Sequence, residues 1–321
     1  MTVPFAACFP GQGSQSVGML DALAAAFPQV RDTYAEAAEA LGRDLWALVS
    51  QGPREALDQT ENTQPAMLAA GISVWRVWRA QGGPMPTLMA GHSLGEYAAL
   101  VAADAMTLAD GVRLAADRAA FMQAAVPVGQ GAMAAVLGLS DEQVIAVCAE
   151  AAAQGGVVEA VNFNAPGQVV IAGETAAVAR ATTAAKAAGA KRALVLPVSV
   201  PSHCALMRPA AVALAQRLAG LDLRLPRVPV LHNVDVTAAD NVESLRERLC
   251  EQLYRPVRWV ETIQAMGLAG DSRAIEFGPG KVLTGLNKHT NKRLDKHITT
   301  LPVFDPETLT AALEAIADAH G

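Results

Sequence analysis

The sequence predicts an α/β protein built on a mostly parallel sheet and interrupted by a smaller self-contained unit. Three observations carry this. Apolar runs of strand length alternate with helical patterns from the first residues onward. Residues 132–198 follow the order strand, helix, strand, strand, helix, strand. Alternation of the first kind then resumes after Pro201, as it would after an insertion.

The first strand is expected over 3–9. A helix over 65–80 opens on Pro65, where a missing N–H costs least, and its apolar character on most sides places Trp75 and Trp78 in the core. A strand over 87–90 and a helix over 94–103 follow. Thr107 with Asp110 then reads as a capping box for the helix carrying Arg113 and Arg118. The inserted unit comprises strands 132–137, 157–162, 168–172 and 193–198 and helices 141–154 and 175–188, a ferredoxin-like order. Asn164-Ala-Pro-Gly167 is expected to turn between its middle strands. Beyond it come helix 206–218, strand 228–232, helix 244–253, strand 273–277, a Gly278-Pro279-Gly280 turn before the helix of Val282, and a last helix over 306–319. The division is therefore a large domain over 1–128 and 201–321 and a small one over 129–200.

Composition narrows the function classes. Of 321 residues, 52% are apolar and 17% charged, which excludes a disordered or solvating chain. Twenty-five basic against 31 acidic residues leave a net charge of −6, so no global field favours nucleic acid or an anionic membrane. The longest uncharged stretch, 119–140, is broken by Gln123, Pro127, Gly129, Gln130 and Gly131, and reads as no membrane span. Met1-Thr2-Val3-Pro4 lacks the layout of a secretory signal, and the four cysteines (Cys8, Cys148, Cys204, Cys250) show no C-x-x-C spacing. A reduced, cytoplasmic protein without a bound metal is expected.

The chemistry concentrates in a few places. Gly91-His92-Ser93-Leu94-Gly95 fits G-x-S-x-G between a strand and a helix, the setting of a nucleophile elbow. The bland reading is a tight turn with a helix-capping serine. A serine nucleophile needs a base, and of six histidines His203 is the leading candidate, because Val200-Pro201-Ser202-His203-Cys204 directly follows the inserted unit. His232 reads as a hydrogen-bonded core histidine. Phe9-Pro10-Gly11-Gln12-Gly13-Ser14-Gln15 follows the first strand; it lacks the third glycine of a dinucleotide fingerprint and is better placed to offer backbone N–H groups to an oxyanion.

These segments, taken with GHSLGEYAAL, the Arg118 helix, VNFNAPGQVVIAG, PVSVPSHCALM, QLYRPVRW and FGPGKVLTGL, resemble the malonyl-CoA:acyl carrier protein transacylases of bacterial fatty acid synthesis, in order and over nearly the whole chain. The resemblance implies an α/β-hydrolase-like large domain with a ferredoxin-like insertion, and an active site in the cleft between them. It implies Ser93 as nucleophile, His203 as base, and the N–H groups of Gln12 and Leu94 as oxyanion hole. It also implies that the main-chain carbonyl of Gln252 orients His203 in place of an aspartate. Deleting that side chain leaves the acceptor in place, so Gln252→Ala is expected to lose modest activity through altered packing. Arg118 would meet the malonyl carboxylate, with His92, Asn162 and Val282 also on the substrate path. The implied partners are acyl carrier protein and a coenzyme A thioester, with no cofactor and a monomeric state. A stand-alone polyketide synthase acyltransferase would share every one of these residues, whereas a serine hydrolase would not need Arg118.

Two features sit outside that pattern. In related polyketide acyltransferase domains the tetrapeptide ending at the catalytic histidine tracks the extender unit, and Val200-Pro201-Ser202-His203 matches neither usual form. Lys288, Lys292, Arg293 and Lys296 crowd one segment against Asp295 alone, either as a solvated face or as a steering patch for an acidic carrier.

Overall fold

The computed structural model describes residues 3–198, 200–291 and 297–317. Strand β1 (Phe5–Phe9) leads into four helices, α1 (Asp21–Ala26), α2 (Pro28–Leu41), α3 (Leu45–Gln51) and the single turn α4 (Arg54–Leu57). Next come α5 (Thr60–Ala80), β2 (Leu88–Gly91), α6 (Gly95–Ala102) and α7 (Leu108–Ala125). A second group follows: β3 (Gly131–Leu137), α8 (Asp141–Ala153), β4 (Val158–Ala165), β5 (Gln168–Glu174), α9 (Thr175–Ala187) and β6 (Arg192–Val195). The chain closes with a 3₁₀ turn (Ala205–Met207), α10 (Arg208–Ala219), β7 (Val230–Leu231), α11 (Val242–Glu251), α12 (Trp259–Leu268), β8 (Arg273–Phe277), α13 (Val282–Asn291), β9 (Thr299–Val303) and α14 (Pro306–Ala317).

Two sheets result. The larger runs β7-β2-β1-β8-β9 with every pairing parallel, so it must be covered on both faces. The five residues of β1 are all buried, and they alternate: Phe5, Ala7 and Phe9 enter one core with α5, α6 and α7, while Ala6 and Cys8 enter another with α12 and α13. The smaller sheet, β4-β5-β3-β6, is antiparallel throughout. Ala132, Ala134 and Val136 of β3 face α8 and α9, whereas Met133, on the opposite face, joins Val161, Val170, Ala172 and Cys204. The small sheet is tied to the segment that leads into α12, where Phe163 N–H donates to Val257 O (3.0 Å) and Val257 N–H to Val161 O (2.8 Å).

The order of elements expected over 132–198 is observed, and so is the resumption of parallel α/β elements after Pro201. Several boundaries differ for physical reasons. The helix expected to open at Pro65 begins at Thr60, with the proline inside it. Pro65 cannot donate to the carbonyl of Glu61, and Arg43 Nη2 supplies that bond instead (2.8 Å). Asn164 does not turn: β4 continues through a bulge to Ala165, and only Pro166 and Gly167 (φ 76°) make the reversal. The strand expected over 228–232 shortens to two residues, because it pairs with β2 alone. The helix over 206–218 starts as a 3₁₀ turn. Strand β9, an edge strand containing Pro302, and the helices α1 to α4 and α12 went unread in the sequence. Of the basic cluster, Lys292, Arg293 and Lys296 lie outside the described residues, as do 318 and 319 of the last helix. No helix among the described residues is long and apolar enough to cross a membrane.

The core beneath β1 is pinned by aromatic rings. Trp78, fully buried, lies edge-on to Phe5 (5.7 Å between centroids) and to Phe277 (5.5 Å), and Phe277 also meets Trp75 (5.3 Å) and Phe9 (5.7 Å). Trp78→Ala should therefore lower the unfolding free energy by about 3–5 kcal/mol in urea titrations. A loss below about 1 kcal/mol would show that this cluster does not anchor the sheet.

Candidate active site

The end of β2 is built for a sharp reversal. A Cβ on Gly91 would stand 1.8 Å from the Gly95 carbonyl carbon, and one on Gly95 would stand 2.0 Å from the Phe9 carbonyl oxygen. Only glycine at both positions lets α6 start hard against β1 and β2. Between them Ser93 is held at φ 51°, in the left-handed region that side chains other than glycine seldom adopt. The strain anticipated for a nucleophile elbow is thus present, and it projects Oγ away from the sheet edge into a cleft of about 630 Å³ between the two sheets.

His203 arrives from the loop after the small sheet and also has a left-handed backbone (φ 67°). Its Nε2 lies 2.8 Å from Ser93 Oγ, and its Nδ1 lies 2.7 Å from the main-chain carbonyl oxygen of Gln252. That carbonyl can only accept, so Nδ1 carries the proton and Nε2 is left free to accept one from the serine. Asp222 and Asp235, which follow the histidine in sequence, are paired with other residues, Asp222 with Arg224 and Asp235 with Arg248. Burial, and after it the nearby positive charge of Arg118, lowers the His203 pKa from 6.5 to about 3, so the imidazole is neutral at rest.

Arg118 projects from α7 and is almost wholly buried. Nη1 donates to Gln64 Oε1 (2.6 Å), while Nη2 donates to Gln252 Oε1 (3.0 Å) and approaches Ser93 Oγ (3.3 Å). The guanidinium carbon stands 5.3 Å from the ring centre of Tyr97. Every hydrogen-bond partner is neutral, and among the described residues Arg118 forms no ion pair. Burial lowers its pKa from the ordinary arginine value, opposed by Tyr97 and Glu96. A buried cation without an anion is costly, and an incoming carboxylate beside Ser93 relieves that cost.

The remaining expected residues distribute as follows. Gln12 and Leu94 both line the cleft, and among the described residues neither backbone N–H has a protein acceptor. His92 lines it too, but its Nε2 is engaged by Asn164 Oδ1 (2.7 Å) and burial lowers its pKa. Asn162 lines the cleft with its buried Oδ1 unpartnered among the described residues. Gln252 lies beneath, fully buried, and its side chain does more than the packing expected of it: besides the bond from Arg118, its Nε2 donates to Ser93 O (3.0 Å). Val282 does not line the cleft; it stands 45% exposed at the start of α13. His232 is a buried, hydrogen-bonded histidine, as read. Sequence reasoning missed Gln64, Thr60 and Asn233. Thr60 Oγ1 donates to Gln12 Oε1 and accepts from Gln64 Nε2 (both 3.0 Å), tying the loop after β1 to the arginine. No local motif marks these residues, and only the proximity of α5 and of the end of β7 to the elbow reveals them. Among the described residues, no group of three or more His, Cys, Asp or Glu side chains could hold a metal ion.

Known proteins share this architecture. A family model described as acyl transferase domain matches residues 8–318. The malonyl CoA-acyl carrier protein transacylase of Escherichia coli strain K12 is 55% identical over 310 residues, covering 97% of this chain and 99% of that protein. The malonyl CoA-acyl carrier protein transacylase structure from Coxiella burnetii superposes with a TM-score of 0.95 at 48% identity, covering 98% of each chain. A malonyl-transacylase solved in complex with its type II PKS acyl-carrier protein gives 0.94 at 53%, covering 97% of this chain and 99% of that one. With the elbow, the histidine and the buried arginine in one cleft, this similarity along nearly its full length shows that the chain belongs to the acyl transferase family, among the malonyl CoA-acyl carrier protein transacylases.

Proposed function

We propose that this chain moves a malonyl group from malonyl-CoA to the phosphopantetheine thiol of acyl carrier protein through a malonyl-serine intermediate on Ser93, in ping-pong order. The observation that carries this reading is Arg118: a buried guanidinium, bonded only to neutral partners, 3.3 Å from Ser93 Oγ. A neutral acyl group would leave that charge unpaired, whereas the free carboxylate of malonyl pairs with it. A serine hydrolase has no use for such a cation.

The proton path follows from the geometry. His203 Nε2 takes the Oγ proton as Oγ attacks the thioester carbon, and the carbonyl oxygen, now negative, is met by the N–H groups of Gln12 and Leu94. Collapse breaks the C–S bond, and coenzyme A leaves as the thiol with the proton from His203. The carrier thiol then surrenders its proton to His203 and attacks the ester, and Oγ recovers the proton as the malonyl thioester departs. The Gln252 carbonyl holds the Nδ1–H tautomer throughout without placing a second charge in the site. Asn162 would meet the acyl or pantetheine chain. His92 acts through Asn164, and Val282 would contact only substrate lying outside the main cleft.

The strand order of the small sheet supports a ferredoxin-like domain over 129–200, and the parallel sheet with its elbow supports an α/β-hydrolase-like domain over 1–128 and 201–321. We assign the protein to the cytoplasm as a monomer, with malonyl-CoA as substrate and no cofactor. The polyketide alternative shares this site, and the carrier that accepts the malonyl group decides between the pathways.

Brief exposure to malonyl-CoA should produce one malonyl adduct by intact-protein mass spectrometry, absent in Ser93→Ala; an adduct retained in that variant would contradict the assignment. Arg118→Ala should weaken malonyl transfer by about 2–5 kcal/mol, roughly 30-fold or more in kcat/KM, while acetyl transfer falls much less. An equal fall for both acyl groups would make Arg118 a structural residue.

The pH profile supplies a further test. Because the pKa of His203 is lowered, the base form persists well below pH 6.5, and kcat/KM should decline only in more acid solution. A malonyl carboxylate seated on Arg118 offsets the cation that repels the imidazolium. The acid limb of kcat should therefore lie at higher pH than that of kcat/KM, and Arg118→Ala should raise the latter. Coincident limbs in wild type and variant would contradict this electrostatic coupling.

A further inference from the structure

The strained serine is gripped from behind by residues that touch neither substrate nor the reacting atoms. Asn233 follows β7, the neighbour of β2, and is almost fully buried. Its Oδ1 accepts the Ser93 backbone N–H (2.7 Å), and its Nδ2 donates to Gly91 O (2.7 Å), so one amide spans both arms of the elbow. Asn233 is itself fixed: its backbone N–H donates to Glu96 Oε2 (2.9 Å), and the other oxygen, Oε1, holds His232 Nδ1 (2.8 Å). Glu96, in the first turn of α6, is completely buried, as nearly is His232. The ring is closed, running from elbow to Asn233 to Glu96 and back along α6 to the elbow.

We propose that Asn233, held by the Glu96 carboxylate, is a positioning residue that sets the direction of Ser93 Oγ for acylation. The physical case has three parts. Ser93 occupies a backbone region that costs free energy, so it stays there only if neighbouring bonds over-determine it. Its N–H is taken by Asn233 Oδ1 and would be orphaned in the interior without that acceptor. A carboxylate buried with two N–H partners, the Asn233 backbone and the His232 ring, is rigid, and this passes the stiffness of α6 to the amide that grips the elbow. His203 and Arg118 are both placed relative to Oγ, at 2.8 and 3.3 Å, so a small rotation of Ser93 disturbs attack without disturbing the cleft that binds malonyl-CoA.

This inference rests on Ser93 being the acylated residue, and single-turnover malonylation followed by rapid quench and intact mass separates the two. The rate constant of adduct formation counts only folded molecules, so a purely structural role would lower the amplitude and leave the rate constant alone. Asn233→Ala, and Asn233→Leu, which fills the volume without an acceptor, should lower the rate constant by about 10- to 100-fold, with KM for malonyl-CoA little changed. Glu96→Ala should reproduce the loss. Glu96→Gln, which keeps an acceptor for the Asn233 N–H, should recover most of the rate. A wild-type rate constant in an Asn233 variant or in Glu96→Ala, or a loss confined to KM or to amplitude, overturns the clamp. Absence of an adduct on Ser93 of the unaltered protein overturns instead the reading on which it rests.

Discussion

The hydrogen bond between Ser93 Oγ and His203 Nε2 joins residues 110 positions apart, and both ends are delivered by backbone in the left-handed region. Neither conformation is favourable by itself, and each persists because packing leaves no alternative. At the serine end, two glycines permit a contact between strand and helix that any Cβ would forbid. At the histidine end, His203 N–H donates to Leu253 O (2.9 Å) while its ring donates to Gln252 O, so the two residues that follow α11 fix main chain and side chain together. The parallel sheet, the small sheet and the helix pairs around them bring these two ends into register.

The electrostatics of the cleft follow from what is left out of it. His203 is oriented by a carbonyl dipole, and Arg118 is held by two glutamine oxygens. A carboxylate in either place would neutralise Arg118 or raise the pKa of His203, and the site would lose its demand for an anionic acyl group. The buried carboxyl group of Glu96 is turned the other way, toward His232 and the Asn233 backbone. Neutral partners in front of the serine and a buried carboxyl brace behind it are thus separate features of the site.

Much of this was legible in the sequence where the determinant is local. The elbow, the Thr107 cap, which accepts from Asp110 N–H at 3.0 Å, and the order of elements over 132–198 depend on neighbouring residues and on alternation. The helix α2 was less visible because two of its four buried positions are Thr33 and Ala37, which dilute the apolar stripe. Strand β9 carries a proline that an edge tolerates and a central strand would not. Gln64, Asn233 and the side chain of Gln252 are ordinary amides in sequence. Their importance comes from contacts across 54, 140 and 134 positions, which no local pattern encodes. Pro65 misled for a related reason, since the carbonyl it orphans is satisfied by an arginine from another segment.

The claim at the centre is that a buried histidine, kept neutral and oriented by a main-chain carbonyl, activates the serine. Nitrogen-15 NMR of the imidazole of His203 across the pH range tests this most directly. The account predicts a neutral ring protonated on Nδ1 at pH 7, and a titration well below the ordinary 6.5, toward about 3. A His203 that is charged at pH 7, that titrates at or above 6.5, or that carries its neutral proton on Nε2 would contradict it.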